Sequence, residues 1–263
     1  MVASHFEATD DGKTSRRAFA TLVSPTFTKH SYLQALEWIP RVEGSARSRF
    51  ERLARADGIH NFNFIEPQPD GSMGIAAERE EYFPVFYVEP LSGNEQAIGY
   101  NLRSNPVRLA ALCEARDTRR IVASARVRLV QGKGDQYGTL VFAPVYNLPM
   151  PQDVIDRRKS LRGFVLAVLR TGDFISVASF GSQKLDAPHL VNVYLFDMTA
   201  PASEQQLYPS MPGVNPETLT SGLHADAAFE MGGRSWLLVA TPGRNTEVRR
   251  SRPGHASCLS RGC

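Results

Sequence analysis

The chain has few cysteines, and its apolar residues do not form long uninterrupted runs. Only three of its 263 residues are cysteine (Cys113, Cys258 and Cys263), and none belongs to a CxxC pair. Neither a zinc site nor a disulfide framework is therefore indicated. No apolar run approaches the roughly 20 residues needed to cross a bilayer. What remains is 42% hydrophobic and 9% aromatic residues, enough to bury a sizeable core in one large or two small domains.

Outside its C-terminal end, the chain also has almost no net charge. The formal net charge is +3, but the last twenty residues carry five arginines against a single acid, Glu247. Without that contribution of +4 the body of the chain is close to −1. We therefore expect no binding to nucleic acid, and we expect residues 244–263 to form a disordered basic tail.

Catalytic motifs are absent as well. The six histidines stand apart, without the HxH or HExxH spacing of a metal site. The sequence has no GxSxG elbow and no phosphate-binding loop, and the glycines around Lys133 are better explained by a hairpin turn. We therefore expect no enzymatic activity in this chain, no catalytic residue, no metal and no cofactor.

The hydrophobic pattern changes along the chain. The first forty residues are expected to be helical, because Leu33, Leu36 and Ile39 recur at roughly helical spacing, although Pro25 and Pro40 interrupt the pattern. A second helix is predicted over 45–56. Runs rich in Val, Tyr and Phe then predict short strands, and Asn105 with Pro106 predicts a capped helix between them.

Similar strands return after a proline-containing loop at 148–153, beginning with one over 161–169. The chain is therefore predicted to have an α+β fold in four parts. These are an N-terminal helical region (1–60), a first unit (61–147), a second unit (148–243) and the basic tail (244–263).

Several separated sequence blocks occur in a characteristic order. They are QALEWIPRV from Gln34 to Val42, EYFPVFYVEPLSGNEQAIGYNL from Glu81, the helix from Asn105, RIVASARVRLV, and YGTLVFAPVYN. From about Phe19 to Ala240 the chain resembles the CHASE domain, the extracytoplasmic ligand-sensing module of membrane-bound bacterial signalling proteins and plant cytokinin receptors. The resemblance implies a long N-terminal helical region followed by two PAS-like modules with antiparallel sheets, the first membrane-distal and ligand-binding, the second membrane-proximal.

The same resemblance implies a function. The chain would be the periplasmic part of an inner-membrane receptor whose flanking helices lie outside it, and it would form a homodimer through its N-terminal helix. A small ligand would control a cytoplasmic histidine kinase or diguanylate cyclase. The sequence leaves open an alternative, an ectodomain without a small-molecule ligand that serves dimerisation or protein interaction.

Arg108 is the leading candidate for ligand recognition. It lies in the first turn of the predicted helix, where a cation gains nothing from the helix dipole. Beside unpaired backbone N–H groups it would form a site for a carboxylate or phosphate. In the resemblance it matches an acidic residue that contacts adenine in plant cytokinin receptors, which argues against a cytokinin here. The alternative is a solvated arginine paired with Glu114 or Asp117.

Further pocket positions follow from the resemblance. Ser124 and Phe142 match threonines of the plant receptors, and Val130 matches a leucine that lines the pocket. Ser124 retains a hydrogen-bond donor, whereas Phe142 would be an apolar wall. The remaining walls are expected from aromatic residues, each of which would also suit a plain sheet core: Phe83, Tyr100, Tyr137 and Phe164. Trp38 is expected to be a structural anchor where the N-terminal helix meets the first module.

Overall fold

The computed structural model describes residues 15–30, 32–129, 137–180, 191–209 and 214–243. The helices in these ranges are α1 (Arg16–Lys29), α2 (Arg47–Ala56), α3 (Pro106–Thr118), α4 (Val154–Ser160), α5 (Thr171–Phe180) and α6 (Pro216–Thr220). Short 3-10 turns lie at Gly44–Ala46, Glu95–Ala97, Leu102–Ser104 and Ala202–Glu204. No helix in the described ranges is long and apolar enough to span a membrane.

The described strands form two main antiparallel sheets and two small ribbons. The first seven are β1 (Leu33–Pro40), β2 (Val42–Glu43), β3 (Ile65–Pro67), β4 (Met73–Ile75), β5 (Glu81–Tyr82), β6 (Tyr87–Glu89) and β7 (Val122–Ala123). The others are β8 (Val127–Arg128), β9 (Tyr137–Tyr146), β10 (Leu161–Arg170), β11 (Val191–Asp197), β12 (Gln206–Tyr208), β13 (Ala225–Met231) and β14 (Arg234–Pro242). The ribbons pair β2 with β5 and β3 with β4.

The first sheet has the order β6-β1-β10-β9-β7, and β8 also pairs with β9. The second sheet has the order β12-β11-β14-β13. The mixture of helices with antiparallel sheets confirms the α+β class. The predicted helix over 45–56 is confirmed as α2.

The prediction that residues 33–40 are helical is wrong, because they form the inner strand β1 of the first sheet. Ala35 and Ile39 pack into a cluster on one face of the sheet, while Leu36 and Trp38 pack into a second cluster on the other. A strand that is buried on both faces has a nearly continuous apolar run, which is easily taken for a helical stripe.

The strand over 161–169 is confirmed as β10, but it does not begin a second unit. It lies between β1 and β9 and pairs with both, from Leu161↔Tyr146 at one end to Arg170↔Gly138 along β9. Pairing between antiparallel strands depends on matched faces and register, which the order of elements along the chain does not reveal. The strand that was predicted to open the second unit (148–243) therefore belongs to the first sheet.

Helices cover both faces of the first sheet. On one face α3 contributes Ala111, Leu112 and Ala115 to a cluster with β9 and β10. On the other face Phe19 and Val23 of α1 pack with Trp38, so the anchoring position predicted for Trp38 is confirmed. The sheet thus forms the middle layer of the fold, and most of the apolar side chains on its α3 face are buried.

Candidate functional site

The start of α3 is capped as its sequence predicts. Asn105 has an extended backbone, and its side chain accepts hydrogen bonds from the N–H groups of Val107 and Arg108, both at 3.1 Å. Pro106 occupies the first helical position, where no N–H is needed. Because the cap already uses these N–H groups, the helix start does not offer them to a ligand. The guanidinium of Arg108 remains as the candidate group.

Arg108 points inward. The residue is 7% exposed, and its Cζ lies 4.5 Å from the centre of the Tyr100 ring. One terminal nitrogen donates to the carbonyl oxygen of Arg128 at 3.3 Å, while its buried Nε has no hydrogen-bond partner among the described residues. Asp117, an alternative partner predicted for it, pairs instead with Arg116 and Arg158. Arg108 is therefore a buried cation with donor capacity left over.

A carboxylate faces the same interior space. Glu37 lies on β1 opposite Val88 of β6 and Leu166 of β10 and is 3% exposed. No hydrogen bond or ion pair to Glu37 is found within the described ranges, and none joins it to Arg108. Burial raises the pKa of Glu37 to about 8 from its ordinary 4.5, and the charge of Arg108 opposes this rise. Burial dominates because the charged form loses its hydration without gaining a partner.

Both groups line one cavity of about 20 Å³. This volume accommodates one or two water molecules. Tyr100 also lines the cavity, and the rest of the wall is aliphatic: Val85, Ala97, Leu102, Leu129, Leu140, Leu166 and Val168. The site is therefore an apolar space with an acid and a cation facing it, typical of a small-ligand site in composition although smaller in volume.

The predicted site residues fall into two groups. Arg108 and Tyr100 line the cavity. Phe83, Phe142 and Phe164 are fully buried in the neighbouring core, where Phe164 contacts the other two rings edge-to-face at 5.8 and 5.9 Å. These three rings belong to the same core cluster as the wall residues but do not line the cavity.

The other predicted positions are tied into the fold or fall outside it. The Ser124 hydroxyl accepts from the N–H of Leu140 at 3.1 Å and donates to the Ala125 carbonyl at 2.7 Å. Tyr137 stacks under the guanidinium of Arg126, 4.6 Å from its ring centre. Val130 lies outside the described residues.

Glu37 was missed by the sequence analysis, which gave its block a purely structural role. The signal was present in the block itself. Once 33–40 is taken as a strand, Ala35, Glu37 and Ile39 share one face. A carboxylate between two core residues on the buried face of a strand requires a functional or pairing explanation.

Contacts also join this site to the second sheet. The N–H of Ala123 on β7 donates to the carbonyl of Gly232 at 2.8 Å. Arg126 donates to the carbonyls of Gln206 at 3.1 Å and Ser203 at 3.2 Å. The segment 123–126, which includes the end of β7, therefore contacts both Leu140 of the cavity wall and the second sheet.

Comparison with known proteins agrees with the sequence resemblance. The CHASE domain family matches residues 12–208. This match covers most of the chain, so the chain belongs to the CHASE domain family, whose members are extracytoplasmic sensory domains.

One curated relative is the hybrid signal transduction histidine kinase A of Dictyostelium discoideum, 26% identical over 238 residues. The alignment covers 81% of this chain but only 11% of that protein.

Solved structures with a similar course of the chain include two bacterial chemoreceptor domains. The periplasmic sensory domain of Campylobacter jejuni Tlp1 is 12% identical, with a TM-score of 0.48 over 92% of this chain and 83% of that one. The ligand-binding domain of the Pseudomonas aeruginosa amino-acid chemoreceptor PctC, in complex with GABA, is 11% identical, with a TM-score of 0.44 over 90% and 85%.

Proposed function

We propose that this chain is the sensory domain of a transmembrane signalling receptor and binds a small anionic organic ligand in the cavity between α3 and the first sheet. The observation that carries the proposal is the inward guanidinium of Arg108, which lines the cavity with its Nε unpaired. Ligand binding would alter the activity of a cytoplasmic histidine kinase or diguanylate cyclase carried by the full-length protein.

The energetics of Arg108 favour an anionic partner. A buried cation without a counter-ion costs several kcal/mol, and a hydrogen-bonded anion offsets much of that cost. Its one direct hydrogen-bond acceptor among the described residues is a neutral carbonyl, that of Arg128, and the Tyr100 ring adds a cation–π contact. Neither neutralises the charge. A ligand carboxylate or phosphate would do so and would also reach the free donor.

The small cavity implies that binding is coupled to movement. At about 20 Å³ the cavity is far smaller than the roughly 300–1,000 Å³ of ordinary ligand pockets, so the ligand would bind a state in which the walls have moved apart. A ligand shifts a conformational equilibrium only through its different affinities for the two states. A receptor whose empty site is closed has this property, because the ligand binds only the open state.

A route from the cavity to the second sheet supports signalling through the fold. Leu140 lines the cavity and exchanges hydrogen bonds with Ser124, whose N–H donates to the Leu140 carbonyl at 2.8 Å. The preceding residue, Ala123, donates to Gly232 of the second sheet. Movement of Leu140 would therefore displace Ser124 and, through Ala123, the β13–β14 hairpin.

The remaining architecture is part of the same proposal. The two sheets would correspond to two PAS-like modules, the first membrane-distal and the second membrane-proximal. Residues before and after this chain would anchor it to the inner membrane with its sensory part in the periplasm. The N-terminal helical region would form a homodimer.

Thermal-shift assays of the purified chain against a library of carboxylates and organic phosphates would test the ligand. We expect at least one compound to raise the melting temperature by several degrees in proportion to its concentration. Arg108→Gln should abolish this shift, whereas Arg52→Gln, an exposed position on α2, should leave it unchanged. The small volume of the cavity favours the alternative of an ectodomain without a small-molecule ligand. An unshifted melting temperature across the library would support that alternative.

A further inference from the structure

Glu37 and Arg108 face the same buried cavity and yet do not pair. Two opposite charges in one apolar space attract each other strongly, because little water screens them. If both were ionised, an ion pair would be the expected arrangement. Within the described ranges no ion pair joins them, although both line the cavity and the Nε of Arg108 has no hydrogen-bond partner there. This arrangement suggests that the acid is neutral when the site is ready to bind.

We propose that Glu37 serves as a neutral acid that donates a hydrogen bond to the ligand, so that the site selects a monocarboxylate with an aliphatic remainder. The inference rests on the proposed function and deepens it. The ligand carboxylate would pair with Arg108 and accept from the Glu37 hydroxyl. The aliphatic part would contact the leucine and valine side chains that form most of the wall.

Charge balance favours this assignment over other ligand classes. With Glu37 neutral and Arg108 positive, a monoanion brings the buried charge to zero. A dianion would leave one buried negative charge, and a zwitterion would leave one buried positive charge, each at a cost of several kcal/mol. The raised pKa of Glu37 supports the neutral form at neutral pH.

No other charged group among the described residues competes for the proton. The titratable or charged groups that line the cavity with Glu37 are Arg108 from α3 and Tyr100. The neighbouring strands present only aliphatic groups to it, namely Leu140, Leu166 and Val168. Glu89 and Tyr87 of β6 pair with Leu36 and Trp38 and therefore lie on the other face of the sheet. The pH dependence of binding should thus report Glu37.

The test is isothermal titration calorimetry of the purified chain between pH 6 and pH 9.5 with three matched sets of probes. Acetate, propionate and butyrate are the monocarboxylates, glycine and alanine the corresponding zwitterions, and succinate the dianion. We expect the monocarboxylates to bind most tightly. Their affinity should be constant below about pH 7.5 and fall about tenfold per pH unit above pH 8, because the ionised acid must regain a proton before the anion binds.

Two variants identify the group whose protonation controls binding, and a third variant is the control. Glu37→Gln retains a hydrogen-bond donor and should bind propionate with an affinity that no longer changes with pH. Arg108→Gln should lose at least tenfold in affinity at every pH. Glu43→Gln, an exposed carboxylate on β2, should show the pH profile of the unaltered chain.

The outcomes separate this inference from the proposed function. Monocarboxylate binding that depends on Arg108 but stays constant to pH 9.5 would overturn the role of Glu37 and leave the receptor proposal intact. Tighter binding of alanine than of propionate would have the same effect, since it requires an ionised Glu37. If no probe binds and the carboxylate and phosphate library gives no thermal shift, both proposals fail.

Discussion

Replacing Glu37 by glutamine should make the stability of the empty protein far less dependent on pH. The folded pKa of Glu37 is raised from 4.5 to about 8, so the folded chain holds this proton more tightly than the unfolded chain does. The stability associated with protonated Glu37 is therefore fully present below pH 4.5, and it is lost progressively as the pH rises towards 8. A shift of this size corresponds to about 5 kcal/mol, of which about 3 kcal/mol is lost by pH 7.

Urea unfolding followed by circular dichroism would measure this loss between pH 4.5 and pH 9. The free energy of unfolding of Glu37→Gln minus that of the unaltered chain should increase by up to about 5 kcal/mol across this range, which is a large fraction of a typical domain stability. Glu43→Gln is the matched control, and its difference should stay constant. A Glu37→Gln difference that changes by less than about 0.5 kcal/mol between pH 5 and pH 9 would refute the assignment of a buried, unpaired carboxyl.

Three other substitutions test the frame around the site. Gly99→Ala should destabilise the fold by about 1–3 kcal/mol in urea unfolding, since Gly99 has φ 79° and a Cβ there would clash with the Asn63 carbonyl. Arg126→Ala should cost about 2 kcal/mol by the same assay and should increase amide hydrogen exchange in β12, because it removes one hydrogen bond to Gln206 of β12 and one to Ser203 in the turn before it. The Arg158 and Arg116 hydrogen bonds hold the pKa of Asp117 well below its usual 3.8, so its contribution to stability is present above pH 4 and is lost progressively as the pH falls. Asp117→Asn should cost about 1 kcal/mol at pH 7 and progressively less below pH 4.

Local signals in the sequence predicted local structure well. The Asn105–Pro106 cap, helix α2 and strand β10 are confirmed because each depends on residues that are neighbours in the chain. The helical assignment of 33–40 failed because burial on both faces of a strand removes the alternation that identifies it. The position of β10 between β1 and β9 depends on contacts between distant segments, which leave no local signal in the sequence.

The candidate site could be predicted only in part, for the same reason. The unusual position of Arg108 at a helix start was sufficient to single it out, and its inward direction agrees with that reasoning. Glu37 could not be assigned while its segment was taken as helical, since its position in the cavity wall depends on which face of a strand it occupies. Phe83, Phe142 and Phe164 fill the core beside the cavity, and which rings of a packed core border an opening depends on contacts between distant segments.

The pairing of the strands indicates which wall of the cavity can move. Leu166 and Val168 belong to β10, which is hydrogen-bonded to β1 on one side and β9 on the other, so displacing them would break pairing on two sides. Leu129 follows β8, a strand of two residues whose described pairing is with β9 alone. Separation at this edge breaks fewer hydrogen bonds and therefore requires less free energy. Because β7 and Arg126 on this same edge contact the second sheet, the least costly way to open the cavity also displaces the elements that touch that sheet.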